Sequence, residues 1–429
     1  MKNLNKYFGE YLEVQGFVDN IRDLQYVQFL IIRNGINKLQ VTIEKNDENK
    51  LLNDIVSSLT LESTIKVFGK LMDSPKVKLN GMELIPNKIE ITSNSLDELP
   101  ISYNNPESIN LDTRLDYRFL DLRSEKNLLL FKIRSEFVKA MRQYLYNNDF
   151  TEIHTPKLIG AASESGSDVF EVKYFDELAY LAQSPQFYKQ MAMSSGFDRV
   201  FEIAPAFRAE KSNTSRHTTE FISFDLEMSY IDSFEDIMQI EENMLVYALK
   251  EIKEKYGEEI KRVFNTEVII PKAPFPRIKL NDLCDIIKEK YGYVGPVGDL
   301  NAEGERFAFK YAMEEFNSEF IFITDYNAEN RAFYHMRKDG IPQGFDLIWK
   351  GVEVTTGAQR EHRYDELKKQ ASERGLENDV EFYLDFFKYG CPPHGGFGLG
   401  LDRLLMMLLD VPTIKESMFL FRGPNRLTP

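Results

Sequence analysis

The first hundred residues alternate between apolar and polar positions in short segments, which is the period of β-strands. Two dipeptides that favour turns, Asn34-Gly35 and Asn80-Gly81, interrupt the pattern, and Leu51–Leu59 has helical spacing. The predicted strands are Leu12–Val18, Val27–Arg33, Lys38–Ile43, Thr64–Leu71 and Met82–Thr92. Five strands with a helix after the third predict an OB-type barrel in residues 1–95, with an unrelated β-sandwich as the alternative.

The pattern changes twice after this predicted barrel. Residues 96–126 are rich in Asn, Ser, Pro and charged side chains, which predicts a linker. From Leu128 to about Asn147, apolar residues recur at helical spacing, and Phe150–Pro156 then predicts a short strand that leads to a proline. A second domain is therefore expected to occupy residues 127–429 and to open with a long amphipathic helix.

A charged hairpin is predicted between Val200 and Met228. Both flanks read as strands, and the second one alternates apolar and polar residues. Arg208 and Glu210, two positions apart, are expected to share a face of the first strand, and the loop carries further cations. A hairpin face with these charges is suited to bind a polyanion next to an amine. The alternative is a solvated hairpin whose charges pair with one another.

A second hairpin is predicted in Phe345–Arg360. With Lys350-Gly351 as a two-residue turn, Ile348 pairs with Glu353, and Asp346 lies diagonally from Glu353 on one face. Two carboxylates beside substrate phosphates are what Mg²⁺ prefers. Two acidic residues on a solvent-facing hairpin are the alternative.

A glycine-rich segment, Gly395–Gly400, precedes a predicted helix that carries Arg403 in its first turn. Glycines let a backbone approach a phosphate closely, and a helix amino terminus favours negative charge. A cation at that end is unfavourable unless an anion lies beside it. The segment therefore predicts a phosphate site, with a purely structural turn as the alternative.

Composition narrows the class of protein. The 429 residues have a formal net charge of −15, and 43% are hydrophobic, without an apolar run of about 18 residues that could span a membrane. The first residues lack an apolar signal core, and the two cysteines form no metal-binding pattern, so a reducing, cytoplasmic location without structural zinc is expected. The acidic charge argues against nucleic acid as a partner, except through a local patch.

These segments, in this order, resemble the signature motifs of the class II aminoacyl-tRNA synthetases. Residues 137–158 resemble motif 1, residues 199–229, with Phe207-Arg208-Ala209-Glu210, resemble motif 2, and residues 395–410 resemble motif 3. Leu181–Gln190 is similar to the amino-acid-binding segment of aspartyl-tRNA synthetases of the archaeal and eukaryotic type. The resemblance extends from about Glu10 to Pro429.

The resemblance implies an α+β fold in which an OB barrel that binds the anticodon is joined, through a hinge at 96–126, to a catalytic domain on an antiparallel sheet flanked by helices. It implies activation of L-aspartate with ATP, transfer to tRNA(Asp), Mg²⁺ as cofactor and a homodimer formed through motif 1. No membrane partner is expected.

The resemblance also implies roles for individual residues. Arg208 is the expected catalytic residue. ATP would be bound by Arg208, Glu210, Arg216, His217, Phe221, Glu353 and Arg403. Aspartate would be bound by Ser163, Glu164, Gln186, Lys189, Asp225, Thr356 and Arg360. Mg²⁺ would be held by Asp346, Glu353 and Thr356, and anticodon bases would contact Phe29, Gln40 and Glu83.

Alternatives stay open at this point. The loop Glu210–His217 is also similar to asparaginyl-tRNA synthetases, although Lys189 and Asp225 argue for aspartate. A paralogue without tRNA charging is the other alternative. Whether tRNA(Asn) is also charged depends on regions that include Asp19 and Lys78. Ser165 stands where the family usually has glycine, which leaves the flexibility of that loop open.

Overall fold

The structure is a computed structural model that describes residues 4–102, 108–160, 168–211 and 214–429. The chain forms two compact units, Met1–Leu129 with Pro429, and Leu130–Thr428. Residues 96–126, which the composition predicts as a linker, belong to the first unit. Within the described ranges, no helix is long and apolar enough to cross a membrane.

The first unit contains a closed barrel with the strand order β1-β2-β3-β5-β4. Its elements are β1 Tyr11–Asp23, β2 Val27–Asn34, β3 Asn37–Glu44, α1 Lys50–Ser58, β4 Thr64–Asp73 and β5 Met82–Ser93, preceded by a short 3₁₀ helix at Leu4–Tyr7. Every predicted strand is present and slightly longer than predicted. Alternating residues, among them Leu30, Val41 and Leu84, are fully buried inside the barrel. The predicted OB barrel is confirmed.

After the barrel, the described part of the chain forms the helices α2 Leu111–Asp116, α3 Arg118–Asp121 and α4 Glu125–Tyr146. Asn110 caps α2, because its side chain accepts a hydrogen bond from the Asp112 amide over 2.8 Å. Asp121 is fully buried between Arg114, at 2.9 Å, and Arg118. Charge in this segment is therefore packed rather than solvated, which is why composition suggests a linker where the chain is helical.

The second unit is built on a sheet of eight strands in its described part, in the order β12-β13-β16-β17-β18-β11-β10-β6. The strands of this unit are β6 Thr151–Glu152, β7 Leu158–Ile159, β8 Glu171–Tyr174, β9 Glu177–Leu181, β10 Arg199–Phe207, β11 Glu220–Ser229, β12 Arg277–Lys279, β13 Phe320–Thr324, β14 Arg337–Lys338, β15 Ile341–Pro342, β16 Gly344–Trp349, β17 Val352–Gln359 and β18 His394–Gly400. Most neighbours are antiparallel, as predicted, but the edge strands β6 and β12 pair in parallel.

Helices flank this sheet, and a long one packs on β17 and β18. The helices of this unit after α4 are α5 Gln186–Ser194, α6 Phe234–Phe264, α7 Leu280–Tyr291, α8 Ala302–Phe316, α9 Tyr364–Glu373, α10 Glu381–Leu384, α11 Leu401–Leu409 and α12 Ile414–Ser417, with 3₁₀ turns at Ala328–Asn330 and Asp385–Phe387. Ser233 begins α6 with a capping box to Asp236. Met244, Leu245 and Leu249 of α6 are fully buried. The predicted α+β fold is confirmed.

The hairpin between β16 and β17 turns at the predicted dipeptide. Lys350 and Gly351 both have positive φ, at 48° and 79°, as a two-residue hairpin turn requires. Ile348 pairs with Glu353, and a bulge after Leu347 brings Asp346 opposite Thr356. The bulge re-aims the polar residues of both strands toward one site.

Candidate active site

A cleft of about 430 Å³ opens over β11, β17 and β18. The residues from the predicted set that line it are Gln186, Arg208, Glu210, Arg216, His217, Phe221, Asp225, Glu353, Thr356, Arg360 and Arg403. Lys189 and Asp346 are not part of this lining and lie buried next to it. Segments more than 200 residues apart in sequence therefore meet at one place.

Arg208 stands at one wall of the cleft, directly after β10. Its amide donates to the Thr219 carbonyl over 2.9 Å, which continues the ladder by one residue. Its guanidinium lies 5.3 Å from the centre of the Phe221 ring. The prediction that Arg208 and Glu210 share a face of the first strand is wrong, because the strand ends at Phe207 and the Ala209 amide bonds to Asp168 instead.

Arg216 and His217 lie on the loop between β10 and β11. Arg216 Nη1 donates to Glu305 Oε2 over 2.6 Å, and Glu305 comes from α8. The His217 ring contacts the Thr214 hydroxyl at 2.5 Å. Desolvation and the neighbouring Arg403 cation lower the pKa of His217, so its ring is mainly neutral near pH 7. Cationic charge on this wall therefore comes from the arginines.

Arg403 occupies the first turn of α11, as predicted. Its Nη1 donates to the Glu353 carbonyl over 3.1 Å and lies 3.6 Å from Glu353 Oε1. The preceding Asp402 fixes the start of this helix, because it accepts from Arg134 over 2.8 Å and from the Ile222 amide over 3.2 Å. These contacts hold the Arg403 guanidinium at the cleft beside Glu353.

Asp346, Glu353 and Thr356 form an oxygen-rich group beside this arginine. The Thr356 hydroxyl lies 3.5 Å from Glu353 Oε1. Desolvation in the cleft and the charge of Asp346 raise the pKa of Glu353 to about 7. Within the described ranges, no group of three or more His, Cys, Asp or Glu side chains could hold a metal ion alone. The set fits Mg²⁺ shared with substrate phosphates, since a dication would relieve the repulsion between the two carboxylates.

Arg331 is a contact of this group that sequence reasoning missed. It holds both carboxylate oxygens of Asp346, at 2.8 and 2.5 Å, and its guanidinium stacks 3.6 Å from the Tyr326 ring centre. Burial alone would lower the pKa of Arg331. The charge of Asp346 outweighs burial and raises this pKa above its usual value. Binding of a metal by Asp346 would therefore require Arg331 to share or release it.

The other end of the cleft has a buried ionic floor. Lys189 Nζ donates to Asp225 Oδ1 and to the Phe397 carbonyl, each over 3.0 Å, and lies 3.4 Å from Glu227 Oε2. The Ser223 hydroxyl donates to the other oxygen of Asp225. Lys189 is only 2% exposed. The alternative of a solvated hairpin is wrong, because these charges are desolvated and paired inside the sheet.

Arg360 is fixed at the floor by Glu227, another residue that sequence reasoning missed. The Nε hydrogen goes to Glu227 Oε1 over 3.0 Å, and Nη2 donates to the Gly396 carbonyl over 2.9 Å. Arg360 Nη1 lies 3.4 Å from His335, whose pKa is well below its usual value because of desolvation and the Arg360 charge. Glu227 and Asp225 thus already compensate the two cations of the floor, Lys189 and Arg360, without any substrate.

The glycines of β18 have a packing role that the sequence did not indicate. Gly396 faces Glu227 and Gly398 faces Asp225 across the sheet. A Cβ on Gly396 would lie 2.0 Å from the Leu226 carbonyl oxygen and 2.4 Å from Glu227 Oε2. The missing side chains therefore make room for the carboxylates beneath the cleft, besides any role in phosphate approach.

Gln186 is held by a hydrogen-bonded chain below the floor. Its Nε2 donates to Gln190 Oε1 over 2.8 Å, and the same oxygen accepts from the Tyr383 hydroxyl over 3.0 Å. Gln190 Nε2 lies 3.0 Å from His394 Nε2. Desolvation lowers the pKa of His394 to about 4, so the ring is neutral near pH 7. Its Nδ1 lies 2.9 Å from the Pro392 carbonyl and carries the hydrogen, which leaves Nε2 as the acceptor. The chain fixes which face Gln186 presents to the cleft.

The two remaining members of the predicted aspartate set, Ser163 and Glu164, lie outside the described residues, as does Ser165.

The predicted anticodon residues lie together on the first unit. The three residues Phe29, Gln40 and Glu83 are half-buried on the outer face of the barrel. Leu30, the next residue after Phe29, is buried inside the barrel. Gln40 Nε2 donates to Thr42 Oγ1 over 3.1 Å, and Thr42 bonds to Glu83. Phe29 is therefore not a core residue. Asp19 pairs with Arg33 at 2.9 Å and Lys38 at 2.7 Å.

Comparisons with known proteins give one consistent result. The family model described as tRNA synthetases class II (D, K and N) matches residues 110–422, and that of the OB-fold nucleic acid binding domain matches residues 12–92. The chain is 42% identical to an aspartate–tRNA(Asp) ligase of Thermococcus kodakarensis, covering 98% of this chain and 97% of that one. It is 40% identical to an aspartate–tRNA(Asp/Asn) ligase of Aeropyrum pernix, covering 98% and 96%.

A solved structure shares the same fold over nearly the whole chain. It is the asparaginyl-tRNA synthetase from Pyrococcus horikoshii complexed with asparaginyl-adenylate, with a TM-score of 0.90, 32% identity and coverage of 99% of this chain and 97% of that one. These matches indicate the same family as the cleft and the sheet that carries it. The chain belongs to the class II tRNA synthetases of the D, K and N group.

Proposed function

We propose that this chain activates L-aspartate with ATP and transfers the aspartyl group to tRNA(Asp). The observation that carries the proposal is the pairing of Lys189 with Asp225 and of Arg360 with Glu227 at one end of a cleft whose other end carries Arg208 and Arg403. The aspartate ligases that match over the full chain support the same activity.

The cleft suits an in-line reaction between two bound substrates. The α-carboxylate of aspartate is already ionised at neutral pH, so it can attack the α-phosphate of ATP without a protein base. Arg208 offsets the charge that develops at this phosphate, and Phe221 offers its ring to adenine. Arg216 and Arg403 hold the outer phosphates. Catalysis is thus positioning and electrostatic stabilisation.

Mg²⁺ supplies charge neutralisation on the outer phosphates when it is bound, and Asp346, Glu353 and Thr356 are the residues that would hold it. Glu210 and His217 complete the wall along the nucleotide. A dication would also favour the ionised form of Glu353, whose pKa is raised in its absence.

The amino-acid end is organised around three contacts. The α-amino group would meet Asp225 and Gln186, and the side-chain carboxylate would meet Arg360 near Thr356. Four of the five N–H groups of Arg360 have hydrogen-bond partners. The remaining Nη1 hydrogen has no partner among the described residues. A carboxylate oxygen of aspartate accepts that hydrogen in a charge-assisted bond, which is stronger than the bond to the neutral amide oxygen of asparagine. Lys189 supports this from below by fixing Asp225.

The barrel supplies the tRNA contact. Phe29 can stack on an anticodon base, and Gln40 and Glu83 beside it can form hydrogen bonds, which needs no positively charged domain. We also propose that the enzyme is a cytoplasmic homodimer formed through residues 137–158. Light scattering should then give a mass of twice 49.9 kDa, and a monomeric mass would contradict the dimer.

Aspartate-dependent ATP–pyrophosphate exchange tests the activity. Wild-type protein should exchange with aspartate and not with asparagine, and Arg208→Ala should reduce the rate roughly a hundredfold or more. Arg22→Ala, an exposed arginine of the barrel, is the control and should exchange normally. Exchange with asparagine alone would instead establish an asparaginyl enzyme. Charging of purified tRNA(Asp) and tRNA(Asn) then decides whether one or both are substrates.

A further inference from the structure

Glu305 lies in the first turn of α8, between the second and third motifs. Asn301 caps this helix, because its side-chain oxygen accepts from the Glu303 and Gly304 amides, both over 3.0 Å. The cap fixes the first turn, and Glu305 is 8% exposed. Its side chain is not part of the cleft lining, so any effect on the substrates has to act through other residues.

One oxygen of Glu305 joins two parts of the ATP wall. Oε2 accepts from Arg216 Nη1 over 2.6 Å and from the Glu353 amide over 3.0 Å. Arg216 comes from the loop between β10 and β11, whereas Glu353 is the second residue of β17. The two partners are separated by 137 positions in sequence, and the Glu305 carboxylate is their common contact.

The contact matters because of what Arg216 would otherwise do. An arginine side chain on a loop loses considerable rotamer entropy when it binds a phosphate, and a fixed partner removes part of this cost beforehand. A charge-assisted hydrogen bond at 2.6 Å is also stronger than a neutral one. Glu305 can therefore hold the guanidinium at the cleft before ATP arrives.

We infer that Glu305 is a positioning residue for ATP, which sets Arg216 against the start of β17. This inference rests on the proposed function, since it assigns the same cleft to ATP. It predicts an effect on the ATP step and none on the aspartate step, because the ionic floor around Asp225 and Glu227 does not contact Glu305.

The test is steady-state exchange with Glu305→Gln. This variant keeps an oxygen for the Glu353 amide but removes the negative charge that holds Arg216. The KM for ATP should rise roughly ten- to hundredfold, while the KM for aspartate stays within about twofold. Glu303→Gln, an exposed glutamate of the same turn, is the matched control and should leave both values unchanged.

A double variant separates positioning from a general structural effect. If Glu305 acts through Arg216, then adding Glu305→Gln to Arg216→Ala should raise the KM for ATP no further. An unchanged KM for ATP in Glu305→Gln, equal changes for both substrates, or independent effects in the double variant would overturn the inference. Failure of wild-type exchange would instead overturn the proposed function, and ATP affinity by calorimetry would still test Glu305.

Discussion

Arg360 donates its Nε hydrogen to Glu227 over 3.0 Å, and both side chains are buried at the floor of the cleft. The same carboxylate lies 3.4 Å from Lys189. One anion thus serves both cations of the floor before any substrate is bound. The proposed aspartate pocket is a pre-paired ionic cluster, so we expect its selectivity to come from the direction of the remaining donors.

Replacing Glu227 with glutamine should destabilise the protein. Burial opposes ionisation, but Arg360 and Lys189 lower the pKa of Glu227 below its usual value. A lowered folded-state pKa contributes stability above about pH 4.5, and this contribution is lost as the pH falls through the folded pKa. Removing one partner of a buried pair should cost about 3 to 5 kcal/mol at pH 7, and the difference from wild type should shrink in acid.

Denaturant unfolding at pH 7 and pH 4 measures this difference. Glu254→Gln, an exposed glutamate of α6, should change stability by less than about 0.5 kcal/mol. Equal stability of Glu227→Gln and wild type at pH 7 would show that the cluster contributes nothing.

Arg360→Lys should impair aspartate activation although it keeps the charge. A lysine ammonium cannot reach Glu227, the Gly396 carbonyl and His335 in the fixed fork that arginine provides. We expect kcat/KM for aspartate to fall, and the fall should correspond to a rise of about 2 to 4 kcal/mol in activation free energy. The KM for ATP should be unchanged. Arg363→Lys, whose side chain is 51% exposed, is the control. Normal aspartate kinetics in Arg360→Lys would contradict this geometry.

Glu241→Gln should change how stability depends on pH. Glu241 is buried in α6 without a hydrogen bond of ordinary geometry among the described residues, and desolvation raises its pKa to about 8 against a lowering effect of Thr355. A raised folded-state pKa gives a contribution that is complete below about pH 4.5 and is lost as the pH rises to about 8. The variant lacks this loss.

The stability of Glu241→Gln relative to wild type should therefore increase between pH 5 and pH 8 by roughly 2 to 4 kcal/mol. Denaturant midpoints across this range give the slope, with Glu254→Gln on the same helix as the control that should follow wild type. Parallel pH profiles for Glu241→Gln and wild type would mean that Glu241 ionises normally.

Phe29→Ala should weaken tRNA charging without affecting amino-acid activation. Loss of one stacked base costs about 1 to 3 kcal/mol, so the KM for tRNA(Asp) should rise while exchange stays normal. Phe68→Ala, a 40% exposed phenylalanine of β4, is the matched control. Unchanged charging by Phe29→Ala would exclude this face of the barrel as the anticodon contact.

The sequence by itself determined the local elements and their faces. Alternation placed the barrel strands, and Lys350-Gly351 fixed the register that pairs Ile348 with Glu353. These features depend on neighbours within a few positions, where period and turn chemistry act. The family motifs then located Arg208, Asp225 and Arg403, which the fold brings to one cleft.

Only the tertiary structure decided which charges pair. Glu227 pairs with Arg360, which is 133 positions away in sequence, and Glu305 pairs with Arg216, which is 89 positions away. Arg331 pairs with Asp346. The alternation along a strand shows which face of the sheet a carboxylate lies on. It does not show which cation from a distant part of the chain lies next to that carboxylate. The buried pairing of Asp121 with Arg114 and Arg118 in residues 96–126 could not be read from the sequence for the same reason, because a charged residue reads as solvated until its buried partner is known.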